Sequence, residues 1–325
     1  MTSRKLSRRA VLGIPLLAIA LLTGCTSSKP KQSDGAVAGG GGPNELFAET
    51  ASFETIAAKP QRIMVGITTR DGRVLHGGSV RFVIRSVDVA DDRNAITVDA
   101  PFLAVPRSAA PPSTATIGGA SEGIGVYAAE EVVIPKPGFW TIRIEVPTSP
   151  AQTLETAVEV LASARVPDVS EQAPRTANPT KASATMPIEA IDSRSGKAGL
   201  GDELADPLLH SESLADILAV KRPALVIVST PTFCTSKFCG PLTDVVNDLA
   251  KEAKAMGSDI GFVHLEVWRS FERNEVNRFA ADWILNRKAA GNEPWIFAID
   301  RTGTIVQRWD NVVTEEALRE AVGRL

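Results

Sequence analysis

Apolar and polar positions alternate with a period of two through much of the first half of the chain. Ile63, Val65 and Ile67 alternate with Met64, Gly66 and Thr68. Val80, Phe82 and Ile84 alternate with Arg81, Val83 and Arg85, and Trp140, Ile142, Ile144 and Val146 with Thr141, Arg143 and Glu145. Turn signals separate these runs: Asp71-Gly72, Gly77-Gly78, Asp91-Asp92, Pro111-Pro112, Gly118-Gly119 and Lys136-Pro137-Gly138. Short alternating strands with regular turns predict an all-β sandwich over residues 45–162. The second half reads differently. Ala224 to Val228 is a β-branched apolar run and predicts a buried strand. Leu242, Val245, Val246 and Leu249 then recur at helical spacing. A short helix is predicted over 213–219, a strand over 260–267 and a helix over 274–288. A hairpin around Asp300-Arg301-Thr302-Gly303 follows, and a last helix over 314–325 is capped by Thr314.

Composition changes the picture at three places. Residues 1–25 start with Arg4, Lys5, Arg8 and Arg9 and continue in an apolar run, 11–22, too short for an ordinary transmembrane helix. They read as an export signal. Residues 26–44 are rich in Ser, Lys and Gly and read as a flexible tether. Residues 163–206 contain Pro167, Pro174, Pro179 and Pro187 among Ala, Ser and Thr, and read as a linker between the sandwich and a second domain, 207–325. A length of 325 residues suits two domains. The net charge of -3 argues against a nucleic-acid partner.

Five stretches resemble known patterns. Leu22-Thr23-Gly24-Cys25 resembles a bacterial lipobox, which implies cleavage before Cys25, lipid on its sulfur, and a protein held on the outer face of the cytoplasmic membrane. Ser7-Arg8-Arg9 also resembles a twin-arginine signal, so the export route stays open. Pro-Gly-Phe-Trp-Thr-Ile-Arg-Ile-Glu-Val, 137–146, resembles the late strands of immunoglobulin-like domains. The strand from Ala224, the pair Cys234 and Cys239, and the following helix resemble the active-site segment of the thioredoxin-like superfamily. Glu293-Pro294-Trp295, leading to Asp300-Arg301-Thr302-Gly303, resembles its second signature. The expected fold class is therefore multidomain: an N-terminal all-β immunoglobulin-like sandwich plus a C-terminal α/β thioredoxin-like domain. The pair here is C-x-x-x-x-C where the family has C-x-x-C.

That departure matters for the chemistry. On a regular helix, residues five apart lie roughly 8 to 9 Å apart, too far for a disulfide. Either Thr235 to Phe238 form a loop before the helix, or its first turn unwinds on oxidation. With Cys25 assigned to the export signal, Cys234 and Cys239 are the remaining cysteines, and such a pair in an exported protein reads as a disulfide or a dithiol. A helix N-terminus and Lys237 both favour a thiolate. The expectation is Cys234 as nucleophile and Cys239 as resolving thiol. Cys239-Gly240-Pro241-Leu242 resembles the thioredoxin C-G-P-C in another registration, in which Cys239 would attack.

By the same resemblance Pro294 is a cis-proline whose edge binds an extended substrate, with Glu293 and Trp295 beside it. Core packing is the competing reading for Trp295. His76 reads as a surface loop residue, His264 as a satisfied interior or sheet-face histidine, and Asp88, Asp91 and Asp92 as a solvated turn. No metal site and no cofactor is expected. The leading function is a membrane-tethered extracytoplasmic thiol–disulfide oxidoreductase acting on protein thiols or disulfides. Alternatives are an atypical two-cysteine peroxiredoxin-like peroxidase, weakened by Pro231 standing where the peroxide-binding threonine would be, Sco-like copper delivery, and a non-catalytic binding lipoprotein with a structural disulfide.

Overall fold

The computed structural model describes residues 42, 44–89, 91–119, 121–183, 185–196, 203–285 and 291–325. The expected export signal, the lipidation site Cys25 and most of the tether lie outside the described residues. Ten strands fill the first half: β1 (Leu46–Thr50), β2 (Thr55–Ile56), β3 (Pro60–Thr69), β4 (Val74–His76), β5 (Ser79–Ser86), β6 (Ile96–Ala104), β7 (Thr116–Gly118), β8 (Gly125–Val133), β9 (Gly138–Val146) and β10 (Gln152–Leu161). They join into one mixed sheet in the order β2-β10-β9-β5-β6-β8-β3-β4-β7, with β1 paired to β3. β6 makes it continuous. Its first six residues pair with β5, and Phe102 to Ala104 pair with β8.

One face of this sheet encloses a core that includes Ile63, Val65, Phe82, Tyr127, Ile142 and Ile144. The other face is also apolar at β3 and β8. Met64 is fully buried between Ile63 and Val65, and together with Val126 and Ala128 it belongs to a second cluster. That second cluster continues into the C-terminal half.

The C-terminal half contains α1 (Leu214–Ala219), β11 (Ala224–Ser229), α2 (Cys239–Ala255), β12 (Gly261–Glu266), the short pair β13 (Trp268–Ser270) and β14 (Glu275–Val276), α3 (Arg278–Ile284), β15 (Trp295–Ile299), β16 (Ile305–Asp310) and α4 (Glu315–Arg324). Four of its strands form a sheet in the order β12-β11-β15-β16. β11 and β12 are parallel, and the other pairs are antiparallel. Alternate residues of β11 point to opposite faces. Leu225 and Ile227 join α2 and α4 in the cluster shared with Met64, while Val226 and Val228 pack with α1 and α3.

The expected fold class is therefore corrected. An immunoglobulin-like sandwich beside a separate thioredoxin-like α/β domain is not what forms. Described residues are 36% strand and 17% helix. Ten strands make a single mixed sheet, and the smaller sheet shares its apolar cluster with it, so that Gly41–Leu325 is one compact unit. The alternating pattern misled because the positions opposite Ile63 and Val65 face apolar side chains rather than water.

Residues 163–206 are packed over much of their length. Val166 and Ala173 lie in the core on the α1 and α3 side. Trp283 Nε1 donates to Thr176 Oγ1 at 2.9 Å, and Gln172 bridges to Thr304. The prolines here shape an ordered path that two 3₁₀ turns continue, Ile188–Ala190 and Pro207–His210. His76 is buried beside the edge of Phe102, not on a surface loop. Asp91 pairs with Arg93, and Asp92 with Arg85 and Arg143.

Candidate functional site

β11 delivers the chain to Ser229, and the backbone then turns. The amides of Phe233 and Cys234 both donate to the Thr230 carbonyl, at 3.2 and 3.1 Å. Lys237 adopts a positive φ of 63°, and α2 starts at Cys239. Of the two geometries open from the sequence, the loop ahead of the helix is the one observed. Cys234 sits on that loop, partly exposed. Cys239 is the first helical residue and is buried, and both cysteines are free thiols.

The two sulfurs have opposite environments. The Cys239 thiol, hydrogen-bonded to Cys234, lowers the Cys234 pKa most, and it outweighs partial burial, which acts the other way. The Ser236 hydroxyl, 3.1 Å from the sulfur, and the backbone N–H groups of Cys239 and Phe238 add to it. The Cys234 pKa is held down at about 5. Free N–H groups at a helix start stabilise an anion in this way. Burial pushes the Cys239 thiol well above its ordinary value, and the neighbouring Cys234 sulfur adds to that.

Glu293 faces this pair. Burial raises its pKa to about 7, with further contributions from the charges of Cys234 and Glu266. The Glu293–Pro294 peptide is cis. Pro294 is buried, and its carbonyl accepts from the Asn311 amide at 2.9 Å. Trp295 lies apart from the thiols. It is buried against Phe53 and Phe297, with Arg308 over its ring, so core packing accounts for it. The structure thus brings Cys234, Cys239 and Glu293 together, with Pro294 next to Glu293, and leaves Trp295 in the core.

An aromatic patch flanks the loop. Phe233, next to Cys234, stacks on Phe271 with ring centroids 4.3 Å apart, and Trp268 meets Phe271 edge-on at 5.5 Å. Phe271 is 45% exposed.

Beneath the loop lies a polar layer that sequence reasoning missed. Ser193 accepts from the Thr232 amide at 3.2 Å through Oγ, and from the Thr232 hydroxyl at 2.8 Å through its carbonyl. The Ser193 amide donates to Glu266 Oε2 at 2.8 Å, and the Trp268 amide donates to Glu266 Oε1 at 3.2 Å. Burial raises the Glu266 pKa to about 7 despite these bonds. Next to Ser193, Asp192 meets His210 and His264, and all three are buried. His264 is an interior residue as expected from its strand, but it is not isolated. Asp192, His210 and His264 come from three distant segments with no ligand-like spacing, so the linear pattern carries no signal for them.

Among the described residues no helix is long and apolar enough to cross a membrane. Neither a protein-family model nor a curated protein matches the chain. Among solved structures, the crystal structure of BslA, a bacterial hydrophobin, is similar over 37% of this chain and 94% of that chain, at 16% identity and a TM-score of 0.21, which fixes neither fold nor activity.

Proposed function

We propose that the protein is a thiol–disulfide oxidoreductase that works outside the cytoplasm from a lipid anchor on Cys25, with extracytoplasmic protein thiols or disulfides as substrates. The observation that carries this reading is the pairing of a partly exposed Cys234 thiolate at a helix start with a buried, protonated Cys239 behind it. An exposed low-pKa thiol next to a resolving thiol is the arrangement that thiol exchange uses.

In the first step the Cys234 thiolate attacks one sulfur of a substrate disulfide. The substrate S–S bond breaks, a mixed disulfide forms, and a substrate thiolate leaves. In the second step the Glu293 carboxylate takes the Cys239 proton, and the Cys239 sulfur attacks Cys234 Sγ. The Cys234–Cys239 bond forms, and the other substrate sulfur leaves as thiolate. Two electrons pass from the protein dithiol to the substrate, and the reverse sequence oxidises a dithiol. The Phe233–Phe271–Trp268 patch supplies an apolar surface for the polypeptide around the reacting sulfur.

The test is a trap. Cys239→Ser should accumulate a mixed disulfide through Cys234, and Cys234→Ser should not. Absence of adduct in both variants would sink the reading, and rapid consumption of hydrogen peroxide by the reduced protein would move it to a peroxidase. The anchor is tested separately. Fatty-acid labelling should mark the wild type and not Cys25→Ser, and equal labelling of both would remove the lipid.

A further inference from the structure

We propose that Asp192, His210 and His264 form a binding site for one Zn²⁺ ion, independent of the thiol chemistry. His264 Nε2 lies 3.1 Å from the Ser229 carbonyl oxygen. A carbonyl only accepts, so Nε2 carries the hydrogen and Nδ1 is a bare lone pair. That nitrogen is 3.4 Å from His210 Nε2 and 3.8 Å from Asp192 Oδ2, and His210 Nε2 is 3.5 Å from the same Asp192 oxygen.

Three ligand atoms so spaced define a small triangle. A point equidistant from them lies about 2.1 Å from each, and a tetrahedral centre just out of their plane about 2.2 Å from each, which are the bond lengths of Zn²⁺ to imidazole nitrogen and carboxylate oxygen. Without a cation, two or three lone pairs converge in a buried site and a single proton on His210 is left to separate them. With one, all three donors are satisfied together.

Charge points the same way. Arg194 is the guanidinium that pairs with Asp192, and it also pairs with Asp206 and Asp244. Asp244 is half exposed and screened by water, so the buried carboxylates Asp192 and Asp206 outnumber the guanidinium by one, which favours a cation there. A small cavity bordered by His210, His264, Glu266 and Asn277 adjoins the cluster. Its volume, at the lower limit for one solvent molecule, lies beside the two histidines where three-ligand zinc takes its fourth partner. The ligands come from the packed segment 163–206, the Pro207–His210 turn and β12, so the ion would tie three separate pieces of chain beneath the cysteine loop.

The test uses the full chain with Cys234→Ser and Cys239→Ser, so that no thiolate competes, after treatment with a chelator. Co²⁺ is added and its visible bands are recorded. One Co²⁺ per chain with the bands of a four-coordinate nitrogen and oxygen site is expected. One equivalent of Zn²⁺ should displace it and raise the melting temperature. In the same background Asp192→Asn, nearly isosteric, should weaken Co²⁺ by more than about 100-fold while circular dichroism stays unchanged. His210→Gln serves as a second ligand variant if the first does not fold. No binding in the cysteine-free background, or equal binding by a folded ligand variant, would overturn the site.

Discussion

Cys234 and Cys239 share one helix start but their pKa values are shifted in opposite directions: the hydrogen bond from the Cys239 thiol holds Cys234 down, and burial holds Cys239 up. The consequence is selective reactivity. Alkylation of the reduced protein should modify Cys234 first, with a rate that rises through a midpoint at about pH 5. Cys239→Ala removes the largest contribution to that low pKa, so its midpoint should move up toward the ordinary thiol range. Mass spectrometry of the alkylated protein checks both. Equal labelling of the two cysteines at pH 7 would refute the assignment of roles.

Glu293 is the carboxylate whose charge reaches both thiols, and in the proposed reaction it takes the Cys239 proton; burial and the charges of Cys234 and Glu266 raise its pKa to about 7. Glu293→Gln should leave the formation of the mixed disulfide nearly unchanged. It should slow its resolution by about 10² or more, within the range for a general base. The rate of resolution in the wild type should rise with pH through the Glu293 pKa, which lies below its dithiol value of about 7 because Cys234 is uncharged in the mixed disulfide, and the variant should lack that inflection. Stopped-flow release of the second thiol measures it. An unchanged pH profile in the variant would assign the proton to another acceptor.

Individual elements were legible where the apolar pattern has one clear period. The run from Ala224 became β11, Leu242 to Leu249 lie on α2, and Thr314 caps α4 through the Ala317 amide at 3.1 Å. The relation between elements was not legible. Met64 reads as the outward partner of Ile63 and Val65 until β3 is seen to be covered on both sides. Prolines in 163–206 look like a slack linker because composition does not reveal that Thr176 and Ser193 find buried partners far along the chain. The cysteines were visible as a pair, whereas Asp192 and His210 join His264 only through tertiary contacts.

Met64 offers a direct test of the shared core. It is fully buried in a cluster with Leu225, Ile227 and Trp309 from the C-terminal half. Met64→Ala should cost about 2 to 5 kcal/mol, the range for truncating a buried side chain. Because the cluster spans both sheets, calorimetry should show a single transition shifted as a whole. Two separable transitions, with only one of them shifted, would restore independent domains.

Thr176 tests how firmly the proline-rich segment is held. Its hydroxyl accepts from Trp283 Nε1 at 2.9 Å, and Trp283 is fully buried. Thr176→Val keeps the shape and strands the indole N–H, which should cost about 1 to 3 kcal/mol. A loss below the precision of urea titration would mean that the segment is not docked in solution.

Glu266 links the layer beneath the loop to stability against pH. Its carboxyl is buried and its folded pKa is raised from 4.5 to about 7 by that burial. Between those two values the folded protein holds a proton that the unfolded chain releases, so unfolding releases protons. Stability from this group is therefore full below about pH 4.5 and is lost as pH rises toward 7. Cys234 acts in the opposite sense, because its folded pKa is depressed, and Glu293 acts in the same sense as Glu266. The comparison that isolates Glu266 is the difference between Glu266→Gln and wild type, measured by urea unfolding of the reduced protein at several pH values. Whatever fixed offset the amide introduces, that difference should move in favour of the variant by on the order of 3 kcal/mol from pH 4.5 to 7, and then level off. A difference that stays flat across this range would mean that Glu266 is ionised throughout, and that its bonds to the Ser193 and Trp268 amides outweigh its burial.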